Sequence, residues 1–199
     1  MRVNYKSAIF KRKSQNYLFN SIFTPQCFVG LSGNYPTIYR KLIKNKLRPT
    51  KLVLCDIDTS IPDVIHKDIY EVVKDHNPDF VDCDFCGTVI TCGNVFQKCF
   101  NFLNRNKKHF AISFTFSTRA HGLGNEKSLK WINDNVLNNT LEIKDVIEKE
   151  TIISLSIKSK TGRGFPKYIK YYNAFCVGYN IRITSYCDTS NMISGIIWR

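Results

Sequence analysis

The chain has 199 residues, of which 43% are apolar and 13% aromatic, and it carries a formal net charge of +13. That suffices for one domain with a full core and excludes a wholly disordered protein. The longest apolar runs, such as FAISFTF (110–116), are too short to cross a bilayer. Residues 1–55 hold eleven Lys or Arg and no acid, whereas nine of the sixteen acids fall between Asp56 and Asp84. Such a basic excess favours a polyanionic partner, nucleic acid above all. The alternative is an AT-rich coding bias whose lysines only solvate the surface.

Residues 1–24 read as a basic arm ahead of a single domain, 25–199. The arm has no continuous apolar stretch, so it is not read as a secretory signal, and an intracellular, cytoplasmic or nucleoid-associated chain is expected. Its lack of acids keeps organellar import open. CFVGL (27–31) is a short strand ended by Ser32, Gly33 and Asn34, all turn formers. Pro36 opens a helix through TIYRKLIKN (37–45). KLVLC (51–55) is a second strand, running into DIDTS. VIHKD (64–68) reads as a short third strand and IYEVVKDH (69–76) as a helix. DFVDC (79–83) is a fourth strand, VITCGNVFQKCFNFLNRN (89–106) a helix, and HFAISFTF (109–116) a fifth strand.

Strands apolar on both faces, alternating with helices, imply a parallel sheet covered on both sides. Beyond residue 126 the rhythm changes. EKSLKWINDNVL and the segment around IKDVIEKE read as helices, and YNIRITSYCDTSNMISGIIW (179–198) as two strands about a turn at Asp188–Asn191. The expected fold is α/β, with a mostly parallel seven-stranded sheet and a C-terminal antiparallel hairpin.

Eight cysteines in a chain of this type pack as small hydrophobes in a reduced protein. Cys27, Cys55, Cys83 and Cys176 lie in apolar runs. Cys83 and Cys86 form a CxxC followed by Cys92 and Cys99, but one pair straddles a strand end and the other lies on a helix. No metal site is expected from them.

In an open α/β sheet, ligands bind beyond the carboxyl ends of the strands. The first strand is followed there by Gly30, Ser32, Gly33 and Asn34, the second by Asp56 and Asp58, and the third by Asp68. After the fourth come Asp84, Phe85, Cys86 and Gly87, and after the fifth Ser117, Thr118, Arg119, His121 and Gly122. Scattered surface acids would not gather on one edge.

In this order the residues resemble the class I S-adenosylmethionine-dependent methyltransferases, over about residues 25–199. The resemblance implies a Rossmann-like three-layer sandwich with S-adenosylmethionine as cofactor. Gly30, Ser32 and Gly33 would lie under its methionine part, Asp56 (Asp58 in reserve) at the ribose hydroxyls, and Asp68 by the adenine. Carboxylates accept from a vicinal diol in charge-assisted hydrogen bonds. Methyl transfer needs mainly positioning and no metal. DFCG (84–87) is similar to the Asp-Pro-Phe-Gly loop of tRNA guanine-N2 methyltransferases. That likeness implies an exocyclic amine as acceptor, with Asp84 accepting its proton, Phe85 stacking on the base or walling the pocket, Cys86 as the next residue of the same loop, and Gly87 allowing the turn. A base in a duplex would have to be flipped out. The departures are a first loop with two glycines where three are frequent, Gln26 where an acid often stands, and no proline after Asp84.

Cations interleaved with aromatics suit phosphate contact and base stacking. They occur in KSAIFKRK (6–13), with Lys11, Arg12 and Lys13, and in KSKTGRGFPKYIKYYN (158–173), with Lys158, Lys160 and Arg163. Arg119 joins them from the fifth strand's loop. Two other readings stay open. One is a catalytically inactive Rossmann-like module docked on nucleic acid or in a larger complex. The other is a Mg2+-dependent phosphatase of haloacid-dehalogenase type, suggested by DIDTS (56–60), although that motif usually follows a first strand. His66 and His76 read as surface, Trp131 and Trp198 as core, Asp79 as a strand start, and Asp82 as a buried carboxylate that must find a partner.

Overall fold

Short runs that are apolar on both faces are stable only between two covering layers, and that arrangement is what the chain adopts. The computed structural model describes residues 15–20, 22–85, 87–118, 125–150, 168–186 and 192–199. Its strands are β1 (Cys27–Leu31), β2 (Lys51–Cys55), β3 (Phe80–Asp84), β4 (Ala111–Ser117), β5 (Glu142–Glu150), β6 (Tyr168–Cys176), β7 (Tyr179–Tyr186) and β8 (Met192–Trp198). Its helices are α1 (Pro36–Lys46), α2 (Ile69–His76), α3 (Val89–Asn106) and α4 (Asn125–Asn135). All eight strands form one sheet in the order β2-β1-β3-β4-β8-β7-β6-β5. β2, β1, β3 and β4 are mutually parallel, whereas β8, β7, β6 and β5 are joined antiparallel.

The two faces of the sheet hold separate cores. On one side Val29, Val81, Ile112 and Phe114 pack with Val72 and Val73 of α2, Phe96 and Leu103 of α3, and Ile132 of α4. On the other, Phe28, Leu54, Phe80 and Ile196 meet Tyr39 and Ile43 of α1 and Leu18 and Phe19 of the segment before β1. The α/β three-layer arrangement with an antiparallel C-terminal pair is therefore the expected one.

Capping chemistry places the helices. Asp68 caps α2 by accepting from Tyr70 N at 2.8 Å, and Asn77 ends that helix at φ 46°. Thr88 and Thr91 cap α3 reciprocally. Pro36 starts α1, whose N-cap residue, Tyr35, offers no side-chain cap.

Three expectations are corrected. The third predicted strand, 64–68, contributes a single parallel bridge between Cys55 and Ile65, because Pro62 and the left-handed Asp63 (φ 60°) leave too little extended chain. The segment IKDVIEKE is β5, not a helix: its apolar residues fit a helical spacing, but pairing with β6 decides. The sheet is mixed and has eight strands, because β5 and β6 lengthen it beyond the terminal hairpin. The turn expected at 188–191, and Gly122, lie outside the described residues.

Packing is tight where β8 crosses β4. Gly195 lies opposite Phe114, and a Cβ there would come within 2.3 Å of the ring. Gly195→Ala is therefore expected to destabilise the protein by about 1–3 kcal/mol, the cost of overpacking a closed core. Chemical denaturation against wild type measures it, and an unchanged midpoint would refute the tight fit.

Candidate active site

Strand polarity alone brings the candidate residues to one rim. Gly30 is level with Leu54 of β2 and with Asp82 of β3. The residues following β1 and β2, and the end of β3, therefore stand at one height on neighbouring strands. Ser32 and Gly33 follow β1, Asp56 follows β2, and Asp84 closes β3. At roughly 4.8 Å per strand step, Asp56 and Asp84 flank β1 about 10 Å apart. The chain runs from β1 outward to β2 and then returns to β3 on the other side of β1. The β1–β3 crevice is thus the topological switch point, where open α/β sheets bind ligands.

Each position has a local cause. Gly33 turns the chain at φ +54°, and a Cβ there would meet nothing within 4 Å, so the loop borders open space. Gly30 lies inside β1, where a Cβ would be 2.9 Å from the Tyr39 hydroxyl and 2.7 Å from the Phe28 ring. Its small size makes room for a tyrosine and does not form the loop itself. Ser32 is buried, and its hydroxyl donates to Gly33 O at 3.4 Å.

Asp56 Oδ1 accepts from Asp58 N at 3.0 Å, while Asp58 Oδ1 accepts from Ser60 N at 2.9 Å and Ser60 Oγ at 2.7 Å. The Ser60 hydrogen bonds hold the Asp58 carboxyl below its ordinary range. Beside Asp56, Ile57 is 74% exposed. Tyr35 and Ile38 after β1, and Ile90 after β3, are also large exposed hydrophobics on this rim. Asp68 sits after the Ile65 bridge as an exposed helix cap, one of its oxygens committed to Tyr70 N.

In the fourth loop, Asp84 is buried at the end of a strand with no exposed residue. Phe85 turns inward and stacks on Phe116, with centroids 5.5 Å apart and planes at 20°. Gly87 fits beneath the start of α3, where a Cβ would be 2.5 Å from Cys92 Sγ, and its carbonyl accepts from Ser117 N at 2.9 Å. Cys86, Arg119, His121, Lys11, Arg12, Lys13, Lys158, Lys160 and Arg163 lie outside the described residues.

A network below the rim was only half legible in the sequence. Asp82, 2% exposed, accepts from Ser113 Oγ of β4 at 2.6 Å and from the Tyr39 hydroxyl of α1. Its presence in an apolar strand was the signal that partners must exist. Burial, and next the Asp82 charge, push the Tyr39 hydroxyl pKa well above its usual value. Two residues further along the strand pair, Asp84 is level with Thr115, and Thr115 with Ser194. The latter two hydroxyls are 3.1 Å apart.

The thiols near the rim are poor nucleophiles. Burial, then the charge of Asp56, pushes Cys55 up to about 12. Cys83 is raised by burial and by its contact with Cys99. Cys83 and Cys99 thus pack in the core, with Cys92 half-buried against it. Among the described residues no three His, Cys, Asp or Glu gather as a metal set. DIDTS follows β2, an edge strand of the sheet, which is a peripheral place for a phosphatase nucleophile.

No family model matches the chain, and no curated protein matches its sequence. Solved structures do match its shape. The N-methyltransferase NodS from Bradyrhizobium japonicum WM9 aligns over 100% of this chain and 99% of its own, with a TM-score of 0.55 at 8% identity. The precorrin-6y C5,15-methyltransferase from Geobacter metallireducens GS-15 aligns over 94% of this chain and 87% of its own, with a TM-score of 0.51 at 10% identity. The chain therefore has the Rossmann-like fold of the class I methyltransferases.

The buried network yields a stability test. Tyr39→Phe removes one donor from a buried carboxylate and should cost about 1–3 kcal/mol. The raised Tyr39 pKa also carries a sign. Above about pH 10 the unfolded chain loses this proton while the folded one retains it, so stability falls as pH rises. The variant should lose that part of the decline. Denaturation curves at neutral and alkaline pH measure both effects, and curves matching wild type would remove the network from the account.

Proposed function

We propose that the chain is an S-adenosylmethionine-dependent methyltransferase whose acceptor is an exocyclic amine of a nucleic-acid base. The observation that supports it most is the convergence of Gly33, Asp56 and Asp84 on the rim beside the β1–β3 switch point. The rim suits the cofactor's chemistry. Gly33 borders open space, and Asp56 keeps its Oδ2 unpaired among the described residues. Ile57 gives a flat ring an apolar surface, and the uncapped start of α1 offers backbone N–H groups to a carboxylate. When bound, the cofactor would supply an electrophilic methyl group.

The chain's own residues do the rest. Asp56 accepts hydrogen bonds from a diol. Ser32 and Gly33 keep the backbone close to the ligand. Asp84, at the end of β3, accepts the amine proton, while Phe85 walls the pocket from below by stacking on Phe116. The net charge of +13 supports nucleic acid as the acceptor class, as do the exposed Lys41, Lys44 and Lys46 of α1, with Arg48 beyond them. No helix among the described residues is long and apolar enough to cross a membrane. The inward turn of the Phe85 ring favours a second reading, a module that binds without turnover.

Calorimetric titration with S-adenosylmethionine separates the readings, with turnover on mixed RNA and DNA. Asp56→Ala should weaken cofactor binding about 10- to 100-fold, a loss of roughly 1.4–2.7 kcal/mol. Asp84→Asn should leave binding intact and lower turnover about 100-fold or more. Full activity in both variants would mean the site is elsewhere, and binding without turnover in wild type would favour the module.

Deleting residues 1–14, which include Lys11, Arg12 and Lys13, should weaken polynucleotide affinity and flatten its dependence on salt. An unchanged salt slope would remove the arm from the interface.

A further inference from the structure

A cavity of about 320 Å3 lies away from the rim just described. It opens where α3 and α4 end and where the β6–β7 turn begins, level with the start of β4. Along α3 the axis advances about 24 Å from Thr88, beside the DFCG loop, to Asn104, which lines this cavity. The cofactor rim and the cavity are therefore at opposite edges of the sheet.

Its lining is unusual in composition. Gln97, Asn101, Asn104 and Asn135 surround it, with Phe100 and Tyr179 as aromatic walls, and no Asp, Glu, Lys or Arg takes part. Three of the carboxamides are pinned at one end. Asn104 Oδ1 accepts from the Tyr179 hydroxyl at 2.9 Å and from Arg199 Nη1 at 3.1 Å. Asn135 Nδ2 donates to Trp131 O at 2.8 Å, and Gln97 Nε2 donates to Asn135 O at 2.5 Å. Each amide is thereby oriented, and its other end has no partner among the described residues. Asn104 keeps a donor, and Asn135 and Gln97 each keep an acceptor.

No charged side chain lines the cavity, and the Arg199 guanidinium that reaches Asn104 is spent on that amide and on the Asn104, Lys107 and Lys108 carbonyls, so an ion would lose its hydration without a free counter-charge. Fixed donors and acceptors beside aromatic rings match a flat neutral heterocycle that both donates and accepts. Val177, also in the lining, is 66% exposed, an apolar surface awaiting cover. Arg105, Lys107 and Lys108 follow Asn104 directly and suit a phosphate attached to such a ring.

We propose that this cavity binds one uncharged nucleobase, of a free nucleoside or of a polynucleotide strand, independently of methyl transfer.

The full chain, without S-adenosylmethionine, is titrated by 15N–1H NMR with each of the four ribonucleosides and with a short single-stranded RNA of mixed sequence. Resonances of the Gln97, Asn101, Asn104 and Asn135 side-chain amides should shift with at least one of them. Tighter binding of the RNA would assign the base to a strand, and equal binding would assign it to a free nucleoside. Asn104→Leu should lower affinity about tenfold. Asn101→Leu, at an exposed position whose side chain has no hydrogen bond among the described residues, tests the same site should Asn104→Leu fail to fold. The proposal is overturned if these amides do not move with either ligand, or if folded Asn101→Leu binds as wild type does. Because no cofactor is present, the outcome does not depend on whether the opposite rim transfers methyl groups.

Discussion

A carboxylate in the middle of the sheet constrains everything around it. Asp82 is buried on β3, and taking such a charge out of water costs several kcal/mol unless donors replace the lost hydration. The replacements come from different parts of the chain, Ser113 from the neighbouring strand and Tyr39 from the helix above. The tyrosine reaches the carboxylate only because Gly30 leaves its place on β1 empty. One interaction thus fixes the height of α1 over the sheet. The loop from Ser32 to Tyr35 leads into α1, and Asp84 lies two residues beyond Asp82. The same interaction therefore sets the spacing between the loop proposed to hold the cofactor and the carboxylate proposed to receive the proton.

The dense acidic segment becomes intelligible when its members are separated by what they touch. Asp79 accepts from Gln26 N and Cys27 N, both at 2.9 Å, and so ties the start of β1 to β3. Asp68 caps a helix, Asp75 pairs with Lys67 at the surface, and Asp58 closes a turn with Ser60. These are structural duties, and an account of strands, caps and turns covers them. Asp56 and Asp84 differ in position. Each stands at the end of a parallel strand beside the switch point, where a carboxylate does nothing for the ladder. The segment is acidic for several structural reasons and for what we propose to be one functional reason.

Legibility followed the range over which each signal acts. CFVGL, KLVLC and VITCGNVFQKCFNFLNRN coincide with β1, β2 and α3 because burial on both faces, or a long helical period, is encoded locally. VIHKD looked like a strand yet forms one bridge, since a strand needs a partner along its length. IKDVIEKE has a helical spacing of apolar residues, but β6 pairs with it from Tyr168 to Phe175, and that partner lies too far along the chain to be inferred. The Asp56–Asp84 rim was readable because topology follows from element order. The inward turn of Phe85 and the amide cavity were not, because both depend on side chains brought together from distant elements.

The fourth loop shows how a departure from a familiar pattern can be physically consistent. Phe85 stands where the resembling loops place a proline, and a proline's value there is rigidity. In this chain Phe85 N donates to Cys83 O at 3.0 Å, closing a tight turn about Asp84. A proline has no N–H and would delete that bond. Rigidity is restored by other means. The Phe85 ring is clamped on Phe116, the Gly87 carbonyl is held by Ser117 N, and Thr88 with Thr91 locks the first turn of α3. The aromatic ring is thereby committed to holding the loop and withdrawn from direct stacking on a base. If the loop does serve an acceptor amine, the aptitude rests on Asp84 and on a backbone fixed from three sides, and a stacking surface for the base has to come from elsewhere on the rim.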